Sequence, residues 1–168
     1  NEQILLVDDS VKESNYIKAI LQKLFIKVTI VKNGIEALDE LQKSRKILII
    51  SNYEMPIMNG LDLTKKIRMD EQYSQIPIII TTSVNNIHLK TKLYEYGVSD
   101  ILIKPILEEE LISKIIDIFL NQKHIEDIES FNELLNKNII TSTTNLSGRI
   151  LSVSDAFCKI SGYKRDEL

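Results

Sequence analysis

Apolar residues fall along this chain in two alternating patterns: short unbroken runs, and runs spaced three or four residues apart. Gln3-Ile4-Leu5-Leu6-Val7 is too short for a helix and is closed by Asp8-Asp9-Ser10, as expected of a strand buried on both faces. Ile17, Ile20, Leu21 and Leu24 then recur at i, i+3, i+4 and i+7, the signature of one helical face. Val28 to Val31 is a second strand-like run, Ile35, Leu38 and Leu41 follow Gly34 at helical spacing, and Ile47 to Ile50 is a third run. Pro77-Ile78-Ile79-Ile80-Thr81-Thr82 is a fourth. Leu89, Leu93 and Tyr96 mark a helix that Gly97 caps, and Ile101-Leu102-Ile103 is a fifth strand. Five strand-helix repeats predict an α/β fold with a parallel sheet and helices on both faces.

The last helix of the series carries Ile112, Ile115, Ile116 and Phe119 on one face, and nothing stops it there. Residues 121–138 hold no Gly or Pro, and His124, Ile128, Phe131 and Leu135 form a sparse heptad seam in a polar segment. This predicts a long connecting helix, either paired with a second copy of the chain or running alone as a solvated linker. After Asn138 the pattern changes. Ile139 to Thr144 and Arg149 to Val153 read as two strands around the turn Asn145-Leu146-Ser147-Gly148, followed by a helix-like stretch from Asp155 to Ile160. Some 30 residues cannot bury a core alone. Residues 139–168 therefore read as the opening of a second domain. Ile139, Ile140, Ile150, Leu151 and Phe157 are expected to pack on the linker helix or on another chain.

Composition narrows the function. Of 168 residues, 21 are Lys or Arg and 24 are Asp or Glu, too even for a general nucleic-acid or membrane-surface binder. Neither residues 1–120 nor residues 121–168 carry the basic excess of a DNA-binding output, so the effector, enzymatic or otherwise, is expected beyond Leu168. A single cysteine, Cys158, excludes an intramolecular disulfide and suits a reducing compartment; it reads as a small core residue. No apolar run approaches membrane-spanning length and the start lacks the basic residues of a signal peptide, so a cytoplasmic location is expected.

In an open parallel sheet, ligands bind beyond the carboxyl ends of the strands. The residues there are Asp8 and Asp9 after strand one, Asn52-Tyr53-Glu54-Met55-Pro56 after strand three, Thr82-Ser83 at strand four and Lys104-Pro105 at strand five. Adjacent carboxylates suit a hard divalent cation such as Mg²⁺, and a cation, a Lys ammonium and a Thr hydroxyl together would orient a phosphoryl group. Taken singly, Asp8 or Asp9 could be a helix N-cap and Lys104 a solvated charge. Their joint occurrence at the ends of strands one, four and five points to phosphoryl chemistry.

These residues resemble the receiver domain of bacterial two-component response regulators, the chemotaxis-type phosphoacceptor module. The match covers about residues 2–120, through Val7-Asp8-Asp9-Ser10, Met55-Pro56-Ile57-Met58-Asn59-Gly60, Thr82-Ser83, Gly97-Val98-Ser99-Asp100 and Lys104-Pro105. The resemblance implies a flavodoxin-like, doubly wound (βα)5 fold with strand order 2-1-3-4-5. It places Mg²⁺ on Asp8, Asp9 and the backbone carbonyl of Glu54, with Thr82 and Lys104 against the phosphoryl group. Met55, Pro56, Ser83 and Pro105 flank the site, and the Lys104–Pro105 bond is expected to be cis. The implied partner is a histidine kinase or phosphotransfer protein, and a homodimer through the linker or the fifth helix is expected.

Two positions depart from the family pattern. The phosphoacceptor aspartate should lie three residues before the Met-Pro pair, and Asn52 stands there. A carboxylate forms an acyl phosphate; an amide is not a usable nucleophile toward a phosphodonor. The change also removes one negative metal ligand and so weakens Mg²⁺ binding. It reads as a deliberate substitution, a natural loss, or an ambiguity between two nearly isosteric residues. The intact remainder of the site argues for recent or engineered loss. The second departure is Ile101, at the switch position where receivers usually carry Tyr or Phe. It has no ring to swing, which shifts the expectation toward signalling by fifth-helix rotation or dimerisation.

Residues 139–168 resemble the opening of a PAS sensor domain, on Ile139-Ile140-Thr141, Asn145-Leu146-Ser147-Gly148-Arg149-Ile150 and Asp155-Ala156-Phe157 through Gly162-Tyr163. With most of such a pocket missing, no PAS ligand is implied. Three further readings stand beside the receiver: a phosphorylation-independent docking or dimerisation module, a phosphohydrolase using Asp8, and a flavodoxin-like cofactor binder. The phosphohydrolase wants its second acid two residues on rather than adjacent, and no Gly- or Thr-rich phosphate loop follows strand one for the cofactor binder.

Overall fold

An unbroken apolar run hides both of its faces only inside a covered parallel sheet; the inner strands do so here, while the edge run Lys27–Val31 is only partly buried. The computed structural model describes residues 3–24, 26–121, 136, 142–145 and 150–164. Its elements are β1 Gln3–Val7, α1 Val11–Lys23, β2 Lys27–Val31, α2 Gly34–Leu41, β3 Lys46–Asn52, α3 Gly60–Met69, β4 Ile78–Thr82, α4 Ile87–Glu95, β5 Asp100–Ile103 and α5 Glu108–Asn121. The strands pair in parallel in the order β2-β1-β3-β4-β5, as the sequence predicts. Leu6 lies opposite Ile50, Ile50 opposite Ile79, and Thr81 opposite Leu102.

The two-residue alternation of the strands divides the core into two layers. Ile4, Leu6, Ile50 and Leu102 pack against Ile17, Ile20 and Leu21 of α1 and Leu111, Ile115 and Phe119 of α5. Leu5, Val7, Ile80 and Ile101 pack against Ala37 and Leu41 of α2, Leu63 and Ile67 of α3 and Leu93 of α4.

Three helices differ from the sequence expectation in which residues they bury. On α2, Ile35 is 47% exposed while Gly34, Ala37 and Leu41 face inward. A Cβ at Gly34 would lie 2.6 Å from Met58 Sδ, so the glycine makes room for the Met58 side chain at the start of α2. Tyr96 is the C-cap of α4 rather than part of its buried face, and its ring lies 4.7 Å beneath the Lys65 ammonium. On α5, Ile112 and Ile116 are only partly buried, and Leu111 and Ile118 join Ile115 and Phe119 inside.

Near the C-terminus, β6 Ser142–Thr144 and β7 Ile150–Val153 pair antiparallel, and α6 Asp155–Ser161 follows. Ser154 caps α6 by accepting from the Phe157 amide, and Gly162 ends it at φ +78°. Hairpin and helix thus agree with the sequence pattern. Leu151 is exposed, and Ile150 and Phe157 are partly buried. The heptad seam His124, Ile128, Phe131 and Leu135, the residues Ile139 and Ile140, and the turn Leu146 to Gly148 lie outside the described residues. Among the described residues no helix is long and apolar enough to cross a membrane.

Candidate functional site

Strand alternation decides which side chains meet at the carboxyl edge of the sheet. Asp8, Asn52 and Lys104 continue the face that carries Leu6, Ile50 and Leu102, toward α1 and α5. Thr82 continues the opposite face with Ile80. Local hydrogen bonds set the loops around them. Tyr53 donates its amide to the Thr81 carbonyl at 2.8 Å, and Gly60 donates to the Tyr53 carbonyl at 2.9 Å, folding residues 53–60 back over the end of β3. A Cβ at Gly60 would stand 2.6 Å from the Asn52 carbonyl oxygen, so only glycine permits this return.

Asn52 is 5% exposed and stands at the centre. Its Nδ2 donates to the Glu54 carbonyl at 2.7 Å and to Asp9 Oδ1 at 3.4 Å, while its Oδ1 accepts from Lys104 Nζ at 3.1 Å. Lys104 Nζ also donates to Glu13 in a close ion pair that bridges β5 and α1. Asp8 is 2% exposed; its Oδ1 accepts from the Ser10 amide at 2.9 Å, and its Oδ2 is buried with no hydrogen-bond partner. Burial pushes the Asp8 carboxyl above its usual range, against the pull of the Ser10 amide and the Lys104 ammonium. The Lys104–Pro105 bond is cis.

The sequence-predicted residues therefore divide. Asp9, Asn52, the Glu54 carbonyl and Lys104 form one hydrogen-bonded group. Thr82, fully buried, accepts from the Val84 amide on its hydroxyl oxygen at 3.1 Å and stands apart from that group. Ser83, Pro56 and Pro105 are exposed and Met55 is half-buried around the rim. Ile101 is 5% exposed and packed in the α2–α4 layer. Glu13 is the member that sequence reading missed. It reads only as a first-turn acid of α1, and its partner lies 91 residues away.

Asp8 Oδ2, buried and unpaired, is the kind of oxygen that a hard cation satisfies. The other donors do not fit one as they stand, because the Asn52 amide donates into both Asp9 and the Glu54 carbonyl. Among the described residues no group of three acidic, His or Cys side chains is placed to hold a metal ion.

A polar group of this kind, at the carboxyl edge of a 2-1-3-4-5 sheet, points to a receiver-type module, and comparison with known proteins agrees. The family model "Response regulator receiver domain" matches residues 4–116, and the chain belongs to this family, the signal-receiving module of two-component systems. It is 36% identical to chemotaxis protein CheY1 of Helicobacter pylori over 116 residues, 67% of this chain and 93% of that one. It is 31% identical to hybrid signal transduction histidine kinase D of Dictyostelium discoideum over 120 residues, 71% of this chain but only 8% of that protein's length. The receiver domain of sensor histidine kinase PA1611 from Pseudomonas aeruginosa, solved with a magnesium ion coordinated in its active-site cleft, superposes with a TM-score of 0.61 at 31% identity. That match covers 66% of this chain and 91% of that one.

Proposed function

We propose that this receiver occupies the place of a phosphoacceptor in a two-component pathway but is not phosphorylated at position 52, and that it signals through protein contacts instead. The observation that carries this reading is Asn52 itself. At the acceptor position it offers Oδ1 to Lys104 and no carboxylate to a phosphodonor. Mg²⁺, which the resemblance places on Asp8, Asp9 and the Glu54 carbonyl, binds more weakly for want of the third negative ligand. Docking by a histidine kinase or phosphotransfer protein needs the surface of the receiver, not the acceptor carboxylate, so such a partner is retained. Ile101, buried and without a ring, favours a docking or dimerisation role independent of phosphorylation over a swinging-aromatic switch.

The test compares the chain with its Asn52→Asp variant, each treated with acetyl phosphate or beryllofluoride in Mg²⁺. Modification of the variant alone is expected. Failure of both forms to respond would sink the receiver-site reading, and modification of the native chain at this cleft would sink the loss of phosphorylation.

A further inference from the structure

The cleft holds more than a missing carboxylate. A carboxylate at position 52 has two oxygens, so one can accept from Lys104 while the other faces a cation. A carboxamide has a single oxygen, so when that oxygen faces Lys104 the NH2 group is the end left facing the other partners. In this chain Oδ1 goes to Lys104 at 3.1 Å, and Nδ2 points at the Glu54 carbonyl and Asp9 Oδ1, two of the oxygens that would otherwise surround the metal. Turning the amide over to offer Oδ1 to a cation would set its NH2 group against the Lys104 ammonium, donor against donor. Glu13 on α1 pairs with Lys104 from the other side and favours its present position.

We propose that the Asn52 carboxamide stands in for the divalent cation: its NH2 group bridges Asp9 and the Glu54 carbonyl, Lys104 locks its orientation, and the cleft keeps a metal-independent resting geometry. This rests on the reading of position 52 as the acceptor site and adds a second reason for weak Mg²⁺ binding. Lost ligand charge alone would lower affinity; a locked amide also competes with the ion for Asp9 and the Glu54 carbonyl. The lock makes Lys104, the residue that faces phosphate in a competent receiver, the element that excludes the cation here.

The experiment uses the full 168-residue chain in four forms: native, Asn52→Asp, Lys104→Met, and both substitutions together. Mg²⁺ affinity is read by calorimetric titration and thermal melting is followed with and without about 10 mM MgCl2. A ligand that binds only the folded state raises its melting temperature, so the native chain should shift by less than about 1 °C and Asn52→Asp by roughly 3–5 °C. Removing the Lys104 charge strengthens Mg²⁺ binding in either background by simple repulsion. If the lock exists, Lys104→Met should gain at least about threefold more affinity in the native background than in the Asn52→Asp background, because only there does it also free the amide to turn. Equal gains in both backgrounds would overturn the lock. So would a native chain that binds Mg²⁺ within about threefold of Asn52→Asp, an outcome readable even if the Lys104 variants fail to fold. An Asn52→Asp form that takes neither Mg²⁺ nor beryllofluoride would instead bring down the reading of the site, and this inference with it.

Discussion

Ile57 sits in the loop over the site with φ +70°, a left-handed conformation that suits Gly or Asn and disfavours a β-branched side chain, and its side chain is 78% exposed. Nothing apolar is gained by keeping isoleucine there. Replacing it by asparagine, Ile57→Asn, should stabilise the chain by about 0.5–1 kcal/mol, since the left-handed region costs an ordinary residue roughly 1–2 kcal/mol. Chemical denaturation of the two forms checks this, and a loss of stability would mean that Ile57 makes packing contacts that offset its strain. Other single residues were legible from the chain alone. Asp8, Asp9, Asn52 and Lys104 stand at or just after the end of a strand that its own apolar run announces, so their arrival at one edge follows from topology. Glu13 was not legible, because its role depends on the first turn of α1 meeting the residue that follows β5, and no local pattern records that meeting.

At the scale of elements, two polar ties hold the layers in register. Arg68, near the end of α3, donates to the Gly97 carbonyl at 3.0 and 2.9 Å and to the Ser74 and Ile76 carbonyls at 2.8 Å each, joining α3 to the turns before β4 and β5. Burial lowers the pKa of this guanidinium but leaves it charged. Arg68→Ala strands these carbonyls and should cost about 2–3 kcal/mol; Arg68→Lys, lacking the planar fork, should recover only part of it in the same denaturation assay.

Lys46 at the start of β3 has a fully buried side chain and donates to Gln3, Glu40 and Ser44. That contact holds the Glu40 carboxyl below its usual 4.5. The folded chain therefore releases this proton more readily than the unfolded one. The resulting stability is present above pH 4.5 and is lost as pH falls through the folded value. Glu40→Gln leaves the buried ammonium without its counter-charge and should cost about 3 kcal/mol near neutrality. The gap between the two forms should close on acidification, as melts across the acid range would show. A gap that stays constant with pH would remove the ion pair as its cause.

At the scale of the whole molecule, the heptad pattern predicts self-association. If His124, Ile128, Phe131 and Leu135 form a seam between two copies, the full chain will have a dimeric mass by light scattering, and Ile128→Glu with Leu135→Glu will return it to monomer. A native chain that stays monomeric at high concentration removes the seam.

Five parallel strands, their order of appearance and the amide at position 52 follow from the linear chain, because continuous apolar runs, helical spacing and side-chain chemistry are local properties. An amide cannot form an acyl phosphate in any fold. Which end of that amide faces Lys104, and which faces Asp9 and the Glu54 carbonyl, is another matter. Hydrogen bonds are directional, and the partners arrive from β1, β5 and the β3–α3 loop. Only their assembly around Asn52 turns a missing nucleophile into a closed, hydrogen-bonded cleft.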